Sequence, residues 1–202
     1  MTKNLTIVFV RNPELGKVKT RLSKTIGDKY ALNIYILLLK HTESVLQKVS
    51  SDKVVYYSEE IQNNDLWSNS CFQKKLQKGN DLGERMQHAF ETAFKEGYEK
   101  VVIVGSDLFD LKAVHIENAF KALENHNLVI GPSLDGGYYL LGMKVLHPAV
   151  FKNKQWGTDS VLETTLKNLE QENVKLLEAL NDIDTFEDLQ EHPELLKKIN
   201  AL

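Results

Sequence analysis

The chain has 202 residues, of which 42% are hydrophobic and 26% are charged, and its formal net charge is −3 at pH 7. This composition is ordinary for a globular protein and, at this length, predicts one domain over residues 1–202. Binding to a nucleic-acid backbone requires a broad cationic face, so the negative net charge argues against nucleic acid as the main partner. No apolar run approaches the ~20 residues of a membrane span, and residues 1–5 lead into a strand without a signal-peptide core. We therefore expect a cytoplasmic protein with no membrane partner.

Short β-branched or aromatic runs alternate with amphipathic helical patterns along the chain. Buried strands are predicted at residues 5–10, 54–57, 101–104, 128–130, 138–143 and 174–177. Helices are predicted at residues 28–49, 82–94, 114–124, 158–172 and 185–199. The alternation predicts right-handed crossovers and an α/β fold of three layers, α/β/α, in which helices cover both faces of a mainly parallel, Rossmann-like sheet.

The first predicted strand leads directly into a basic segment, residues 11–22, with the sequence RNPELGKVKTRL. From Arg11 to Lys24 there are five cations and one anion, so the local charge is +4 in a chain whose total is −3. Such a concentration of positive charge at the end of a strand indicates an anion site, most often for phosphates. A solvated basic loop explains this segment alone equally well.

Acidic or glycine-rich segments follow three other predicted strands, at residues 105–107, 131–137 and 182–185. Ligands of open α/β sheets bind beyond the carboxyl ends of the strands, so we expect these segments and the basic loop to form one cleft. Asp107 directly follows a buried strand, where a carboxylate is costly unless it is exposed, paired or bound to a cation. It is therefore a candidate ligand for a hard divalent metal ion, with a helix cap as the alternative.

Several common catalytic motifs are absent from the sequence. There is no GxxxxGK[ST] phosphate-binding loop, which residues 16–20 only partly match, and no GxGxxG motif follows a strand. The HExxH and GxSxG motifs are missing as well. These absences argue against a P-loop kinase, a dehydrogenase, a zinc protease and a serine hydrolase.

Five motifs occur in a fixed order: FxRxPxxGxVKTRL at 9–22, GxDLGERM at 79–86, GSD at 105–107, DGGYYLLG at 135–142 and WxT at 156–158. This combination resembles the DUF2064 family over nearly the whole chain. The resemblance implies the GT-A fold of nucleotide-diphospho-sugar transferases, in a family associated with radical-SAM, selenium-domain and arsenosugar gene contexts. Residues 182–189 are also similar to the metal-binding and helix-starting segment of the molybdenum-cofactor guanylyltransferases.

The resemblance implies that the basic loop and the start of the helix at 82–94 bind a nucleotide or a nucleotide-sugar. The implied residues are Arg11, Gly16, Lys19, Thr20 and Arg21 in the loop, and Asp81, Gly83 and Arg85 at the helix. Lys19 would stabilise the departing or transferred phosphate, and Gly16 would allow close approach of the backbone. The positive end of the helix dipole would attract the ligand, although capping by Asp81 and an Asp81–Arg85 pair explain the same pattern.

The resemblance also implies that Asp107 and Asp184 hold Mg²⁺ or Mn²⁺ on the diphosphate, with Asp182 as an alternative or supporting ligand. The sugar or acceptor side of the cleft would contain Asp135, Gly136, Gly137, Tyr138 and Trp156. Asp135 would accept hydrogen bonds from sugar hydroxyls or act as a base, which makes Lys19, Asp107 and Asp135 the candidate catalytic residues. A plain Asp-Gly hairpin turn at 135–137 and a core anchor at Trp156 are the alternatives.

The chain departs from the usual family pattern at Leu15 and at Phe109, where the family usually has proline, and at Lys78, where glutamine is usual. The missing prolines bear on the rigidity of the loops next to the site. The leading hypothesis is a metal-dependent glycosyltransferase with a nucleotide-diphosphate-sugar donor and a small-molecule acceptor. The alternatives are a nucleotidyltransferase that joins a nucleoside monophosphate to a phosphorylated small molecule and releases pyrophosphate, and a non-catalytic nucleotide-binding module. A homo-oligomer is left open.

Overall fold

The computed structural model of the protein describes residues 3–199, without the side chain of Ile199. Its strands are β1 (Asn4–Val10), β2 (Asp52–Tyr57), β3 (Gln73–Leu76), β4 (Lys100–Val104), β5 (Leu128–Pro132), β6 (Tyr138–Met143) and β7 (Val174–Leu176). Its α-helices are α1 (Thr20–Ile26), α2 (Asp28–Gln47), α3 (Leu82–Lys95), α4 (Ala113–Ala122), α5 (Val161–Asn168), α6 (Phe186–Gln190) and α7 (Pro193–Ile199). A 3₁₀ turn at Pro148–Val150 follows β6.

The strands form one sheet in the order β3-β2-β1-β4-β6-β5-β7. Four pairings are parallel: β1 with β2, β1 with β4, β2 with β3, and β5 with β7. Among the described strands, β6 alone is reversed, because it runs antiparallel to both β4 and β5. The sheet is therefore mixed and mainly parallel, as predicted. The carboxyl ends of the other strands share one edge of the sheet, and β6 begins at that edge.

Helices cover both faces of the sheet, and β1 shows why. Successive side chains of a strand point to opposite faces. Leu5 and Ile7 pack in the core cluster that contains the buried face of α3, whereas Val8 and Val10 pack in the cluster that contains residues of α2 and α4. A third cluster joins α1 and α2 to the C-terminal helices α6 and α7. The predicted three-layer α/β/α arrangement is confirmed.

Two predicted helices differ from the structure. The helix predicted at 158–172 is the shorter α5. Residues 158–160 form a turn in place of the first helical residues, because the Thr158 hydroxyl donates to the Gln155 carbonyl at 2.8 Å and lies 2.8 Å from the Ser160 hydroxyl. The helix predicted at 185–199 is two helices, α6 and α7. Pro193 begins α7, since proline has no amide hydrogen to continue a helix but suits the first helical position.

Two elements were not predicted from the sequence. Strand β3 has the sequence QKKL and pairs only with β2 at the edge of the sheet. Its side chains are exposed or half-buried, so the strand has no apolar run to mark it. Helix α1 begins at Thr20, so that the last part of the predicted basic loop is helical.

Of the helices in residues 3–199, none is both long enough and apolar enough to cross a membrane. The twenty-residue α2 is amphipathic, with one buried face against the sheet and exposed polar residues on the other.

Candidate functional site

A cavity of about 190 Å³ opens at the edge where the parallel strands end. Polar and aromatic side chains from the segments after β4 and β5, from the start of β6, and from the loops before α5 and α6 meet there. The side chains that matter for its chemistry are Asp107, Ser133, Asp135, Tyr138, Trp156 and Asp182. Within the described part of the chain, no lysine or arginine lines this cavity. The predicted sugar side of the cleft and the predicted metal ligand Asp107 therefore line the same cavity.

Lys19 lies beside this cavity and is directed into the protein. Its side chain is only 4% exposed, and its Nζ is 3.1 Å from Oδ1 of Asp107. That Oδ1 atom is buried and accepts no well-aligned hydrogen bond from the described residues, whereas the side chain of Asp107 as a whole is 43% exposed. The backbone of Lys19 has φ 49° and ψ 46°, a left-handed conformation that is unfavourable for a residue with a side chain. The fold thus holds Lys19 in a strained conformation that aims its ammonium group at Asp107.

The other basic side chains of the basic loop, the first loop of the chain at residues 11–22, lie nearer the solvent. Arg21 donates from a terminal guanidinium nitrogen to Oδ2 of Asp184 at 3.0 Å. Lys17 pairs with Glu14 at 2.7 Å within the loop, and the side chain of Arg11 is exposed. Gly16 has φ 75°, which favours glycine, and Thr20 is an exposed residue at the first position of α1. The solvated-loop interpretation fits Lys17 and Arg11, but it does not describe Lys19.

The segment before α6 directs two carboxylates to different places. The backbone N–H of Ile183 donates to the carbonyl of Asp107 at 3.1 Å, and the Ile183 side chain is fully buried. Asp182, on one side of Ile183, lines the cavity, and its Oδ1 accepts a hydrogen bond from the Ser133 hydroxyl at 2.9 Å. Asp184, on the other side, pairs with Arg21 and does not line the cavity. Of the two candidate partners for Asp107, Asp182 is the one that faces the same space.

The surroundings of Asp182 disfavour its charged form. Burial and then the nearby charge of Asp135 raise the pKa of Asp182 above its ordinary value, while the bond from Ser133 and the charge of Lys19 act in the opposite direction. Two carboxylates in a partly buried cavity repel each other unless a cation or hydrogen-bond donors lie between them. A ligand that supplies a cation or several hydroxyl donors would therefore be stabilised here.

The segment predicted as the sugar side is a hairpin between β5 and β6. The N–H of Ser133 donates to the carbonyl of Gly137 at 3.1 Å, and the N–H of Gly136 donates to the carbonyl of Ser133 at 3.2 Å. Oδ1 of Asp135 accepts from the N–H of Gly137 at 2.9 Å, and the carboxylate is otherwise exposed. Gly136 has φ 88°, and a Cβ there would lie 2.2 Å from the carbonyl oxygen of Asp159. The hairpin interpretation is therefore correct, and the same turn carries Asp135 to the cavity.

Trp156 is both a core residue and a wall of the cavity. Its ring packs against the core beneath α3 and meets Tyr138 edge-on, with 6.5 Å between ring centroids. Gly83, in the first turn of α3, makes this possible, because a Cβ there would lie 2.6 Å from Cζ2 of Trp156. Gly83 was predicted to contact a nucleotide. In the structure it is buried and makes room for the indole of Trp156.

The start of α3 reaches the cavity through Leu82. Asp81 caps the helix, since its carboxylate accepts from the N–H of Glu84 at 2.8 Å. Arg85 donates from Nε to the Gly79 carbonyl at 3.1 Å, which fixes the loop that precedes the helix. The capping role of Asp81 is thus confirmed, and Arg85 bonds to the backbone.

The donor set of the cleft fits a hard divalent cation. Asp107 and Asp182 offer carboxylate oxygens from two segments, and the buried Oδ1 of Asp107 has the Lys19 ammonium 3.1 Å away but accepts no well-aligned hydrogen bond from the described residues. Mg²⁺ at nucleotide sites commonly takes one or two carboxylates together with phosphate oxygens and water. Within residues 3–199, no group of three or more His, Cys, Asp or Glu side chains is arranged to hold a metal ion alone. The carboxylates would supply one or two ligands to a cation here, and substrate or water oxygens would supply the others.

Three polar side chains that organise the cleft were not among the predicted site residues: Asn12, Tyr35 and Ser133. Oδ1 of Asn12 accepts from the N–H of Glu59 at 3.0 Å and its Nδ2 donates to the Glu60 carbonyl at 2.9 Å, which ties the first loop to the segment after β2. The Asn-Pro pair at 12–13 signals a turn in the sequence, but not the partners of the amide. Nothing in the sequence distinguishes Tyr35 from the residues at the other apolar positions of α2.

Comparisons with known proteins agree with this architecture. A crystallographic structure from Desulfovibrio desulfuricans G20, provisionally assigned as a nucleotide-diphospho-sugar transferase, is 29% identical, with a TM-score of 0.85 over 98% of this chain and 99% of that chain. A 4-diphosphocytidyl-2C-methyl-D-erythritol synthase from Anaerococcus prevotii DSM 20548 shares the fold at 13% identity, with a TM-score of 0.63 over 97% and 96% of the two chains. In sequence, the 2-phospho-L-lactate guanylyltransferase of Methanocaldococcus vulcanius is 28% identical over 190 residues, which are 92% of this chain and 83% of that protein.

The family model DUF2064, described as an uncharacterized protein conserved in bacteria, matches residues 41–158. This segment is more than half of the chain and contains Asp81, Asp107, Asp135 and Trp156. The match confirms the resemblance for the four motifs between residues 79 and 158, whereas the first motif, at 9–22, lies outside the matched segment. The chain belongs to the DUF2064 family.

Proposed function

We propose that residues 1–202 act as one metal-dependent glycosyltransferase domain that moves a sugar from a nucleotide-diphosphate donor to a small-molecule acceptor. One observation carries the proposal. The cavity beside the Lys19–Asp107 pair is lined by three carboxylates and by the rings of Tyr138 and Trp156, and no basic side chain of the described residues lines it. Lys19 contacts this cavity through its pair with Asp107, and the other basic side chains of the loop lie nearer the solvent.

An acidic and aromatic cavity suits the sugar of a nucleotide-sugar better than it suits an anionic acceptor. Sugar hydroxyls donate to carboxylates in charge-assisted hydrogen bonds, which are roughly twice as strong as neutral ones. The C–H face of a sugar packs on aromatic rings, which Tyr138 and Trp156 offer. A phosphorylated acceptor in the same cavity would lie next to Asp135 and Asp182, and the nearby Lys19 is already paired with Asp107.

On the other side of the cleft, the basic loop would hold the diphosphate. Lys19 would exchange its bond to Asp107 for one to a phosphate oxygen, and Arg21 and Arg11 would contribute charge from the rim. When bound, Mg²⁺ or Mn²⁺ would neutralise charge on the leaving diphosphate as a Lewis acid. Asp107 and Asp182 would hold that ion, with Asp184 as the alternative to Asp182.

Asp135 would assist the acceptor. In the reaction, the acceptor hydroxyl would give its proton to the Asp135 carboxylate while its oxygen forms a bond to the anomeric carbon. The bond from that carbon to the diphosphate oxygen breaks, and the nucleoside diphosphate leaves with the electron pair. Lys19 would stabilise the charge that develops on the leaving oxygen. Asp135 keeps one oxygen free for this role, because only its Oδ1 is bonded to the hairpin backbone.

The D. desulfuricans protein supports this proposal by its provisional assignment to the nucleotide-diphospho-sugar transferases. A second candidate function is nucleotidyl transfer, in which a nucleoside monophosphate is joined to a phosphorylated small molecule and pyrophosphate is released. The similarity to the guanylyltransferase of M. vulcanius favours it. Its anionic acceptor would have to bind outside the acidic cavity.

A donor screen distinguishes the two reactions. The protein is incubated with nucleotide-sugars of each base and a panel of small-molecule acceptors that carry hydroxyl groups, and separately with nucleoside triphosphates and 2-phospholactate, in both cases with Mn²⁺ or Mg²⁺. Release of nucleoside diphosphate from a nucleotide-sugar supports the proposal. Pyrophosphate released only from a triphosphate overturns it in favour of nucleotidyl transfer, and nucleotide binding without turnover overturns it in favour of a non-catalytic module.

The role of Lys19 is tested with a matched pair of variants. Lys19→Ala removes a buried cation beside Asp107, and we expect metal-dependent nucleotide binding to be lost. Lys40→Ala removes an exposed cation on α2 and should leave the affinity unchanged. Isothermal titration with the preferred nucleotide measures both. Equal affinities of the two variants and the wild type would contradict the assignment of the phosphate site.

A further inference from the structure

We propose that Tyr35 is a positioning residue, whose hydroxyl holds the first loop and the Gly105–Asp107 turn in the arrangement that binds the nucleotide diphosphate. This inference rests on the proposed nucleotide site. Tyr35 lies on α2, and its ring is buried in the core cluster between α2 and the sheet. The proposal concerns only the hydroxyl group at the end of that ring.

The Tyr35 hydroxyl binds both backbone groups of one residue. It accepts a hydrogen bond from the N–H of Arg11 at 2.8 Å and donates to the carbonyl of Arg11 at 3.1 Å. Arg11 is the first residue after β1, where the chain leaves the sheet to become the phosphate-facing loop. One side chain thus fixes the orientation of both peptide units at the base of that loop.

The same oxygen reaches the neighbouring turn. It lies 3.5 Å from Oγ of Ser106, the residue before Asp107. A phenol has one proton to donate and can accept from two donors. Its proton is used on Arg11, so it can accept from Ser106 and from the Arg11 N–H. Burial, and then the negative charge of Asp107, raise the pKa of Tyr35 far above its ordinary value, so the hydroxyl keeps the proton it donates.

The sheet itself does not hold these two segments together. Strands β1 and β4 are paired in parallel as far as Val8 and Val104. Arg11 and Asp107 each lie three residues beyond that last pair, where the strands have given way to loops. Tyr35 therefore bridges the gap from a third element, the long and well-packed α2. The Tyr35 hydroxyl therefore contacts both the start of the basic loop, at Arg11, and the segment that carries Asp107, at Ser106.

Tyr98 provides a matched control. It is also a buried tyrosine whose hydroxyl donates to a partner, Oδ2 of Asp52, at 2.9 Å. Asp52 is the first residue of β2, so this bond lies at the opposite edge of the sheet from the cleft. Tyr98→Phe thus removes a comparable hydrogen bond without touching either loop of the site.

The test compares Tyr35→Phe with Tyr98→Phe. A panel of nucleoside diphosphates with Mn²⁺ is first screened by thermal shift on the wild type, and the best of them is then titrated calorimetrically into each variant. We expect both variants to lose a few degrees in Tm, since each loses a hydrogen bond. Only Tyr35→Phe should bind the diphosphate at least tenfold more weakly, which corresponds to about 1.4 kcal/mol.

Ser106→Ala tests the bridge from its other side without altering the core. If the Tyr35 hydroxyl couples the two segments, the losses in affinity of Tyr35→Phe and Ser106→Ala will not add in the double variant. Additive losses, or a Tyr35→Phe affinity equal to that of Tyr98→Phe, overturn the positioning role and leave the proposed function intact. A wild type that binds no nucleoside diphosphate overturns the proposed function as well.

Discussion

Substituting alanine for Gly83 gives a sharp test of how the cleft wall is packed. Gly83 is the second residue of α3, where alanine would normally favour the helix by roughly 0.5–1 kcal/mol. Here the added Cβ would lie 2.6 Å from Cζ2 and 2.8 Å from Nε1 of Trp156, and 2.9 Å from the carbonyl oxygen of Phe151. Overpacking of this kind costs about 1–3 kcal/mol. We therefore expect Gly83→Ala to be destabilised by about 1–2 kcal/mol, the opposite sign to helix propensity.

For a chain of this length, that loss lowers Tm by roughly 2–8 °C, which a thermal or urea denaturation measures. Gly105→Ala is the matched control, because its added Cβ would meet nothing nearer than 3.7 Å. The displaced indole should also raise KM for the nucleotide-sugar, since Trp156 lines the cavity. A Gly83→Ala protein as stable as the wild type, or more so, would refute this reasoning.

A double variant isolates the contact itself. Trp156→Phe removes the indole atoms that the new methyl group would strike, so Gly83→Ala should cost less in that background. The double-mutant cycle should give a coupling of at least about 0.5 kcal/mol. Strict additivity would show that the cost of Gly83→Ala arises elsewhere.

Two further predictions concern carboxylates of the segment before and within α6. Burial would raise the pKa of Asp188, but hydrogen bonds from Thr185, Asp184 and Asn181, all in the segment before α6, outweigh it and hold the pKa below its ordinary value. Ionised Asp188 therefore stabilises the fold at neutral pH, and this contribution is lost as the pH falls below 3.8 and through the lowered pKa. Asp188→Asn should lower Tm at pH 7 and much less at pH 3, and an equal deficit at both values would contradict this linkage. For the metal, Asp182→Asn should abolish the stabilisation of the nucleotide complex by Mn²⁺, whereas Asp184→Asn should retain it. The reverse result would make Asp184 the ligand.

Where an apolar pattern ends at a clear boundary residue, the sequence was sufficient to predict the strand or helix. Val101–Val104 is an apolar β-branched run with Gly105 after it, and the structure has β4 at that place. The helix pattern at 82–94 was equally clear, because Asp81 caps it and its apolar residues repeat on one face. These local signals agree with the tertiary packing, so pattern alone was enough.

The elements that pattern missed depend on partners elsewhere in the chain. β3 is a strand because β2 offers it an unpaired edge, not because QKKL favours a strand. The reversed direction of β6 follows from a short connection, since the segment between Pro132 and Tyr138 is too short for a parallel crossover. The alternative prediction of a hairpin turn at 135–137 already implied that β6 runs antiparallel to β5.

In the site, the chemistry of single residues was more predictable than their pairing. Asp107 and Asp135, which follow β4 and β5, line one cavity, as residues at the carboxyl ends of strands would. The sequence could not distinguish Asp182 from Asp184, because the choice depends on the burial of Ile183 between them. Nor could it show that the ammonium of Lys19 lies against Asp107, since that contact joins residues 88 positions apart.

The hairpin between β5 and β6 gives this protein a place where specificity can diverge independently of the fold. Because β6 runs against its neighbours, the chain leaves the sheet and re-enters it at the same edge, beside the cavity. Leu134, near the tip of the hairpin, is 69% exposed, and doubling the length of such a loop costs only about 0.6 kcal/mol. Insertions there would reshape the wall around Asp135 while the basic loop and the register of the sheet stay unchanged. In directed evolution, insertions beside Leu134 are therefore the changes to screen for a new donor or acceptor, while Asp135 and Gly136 are kept.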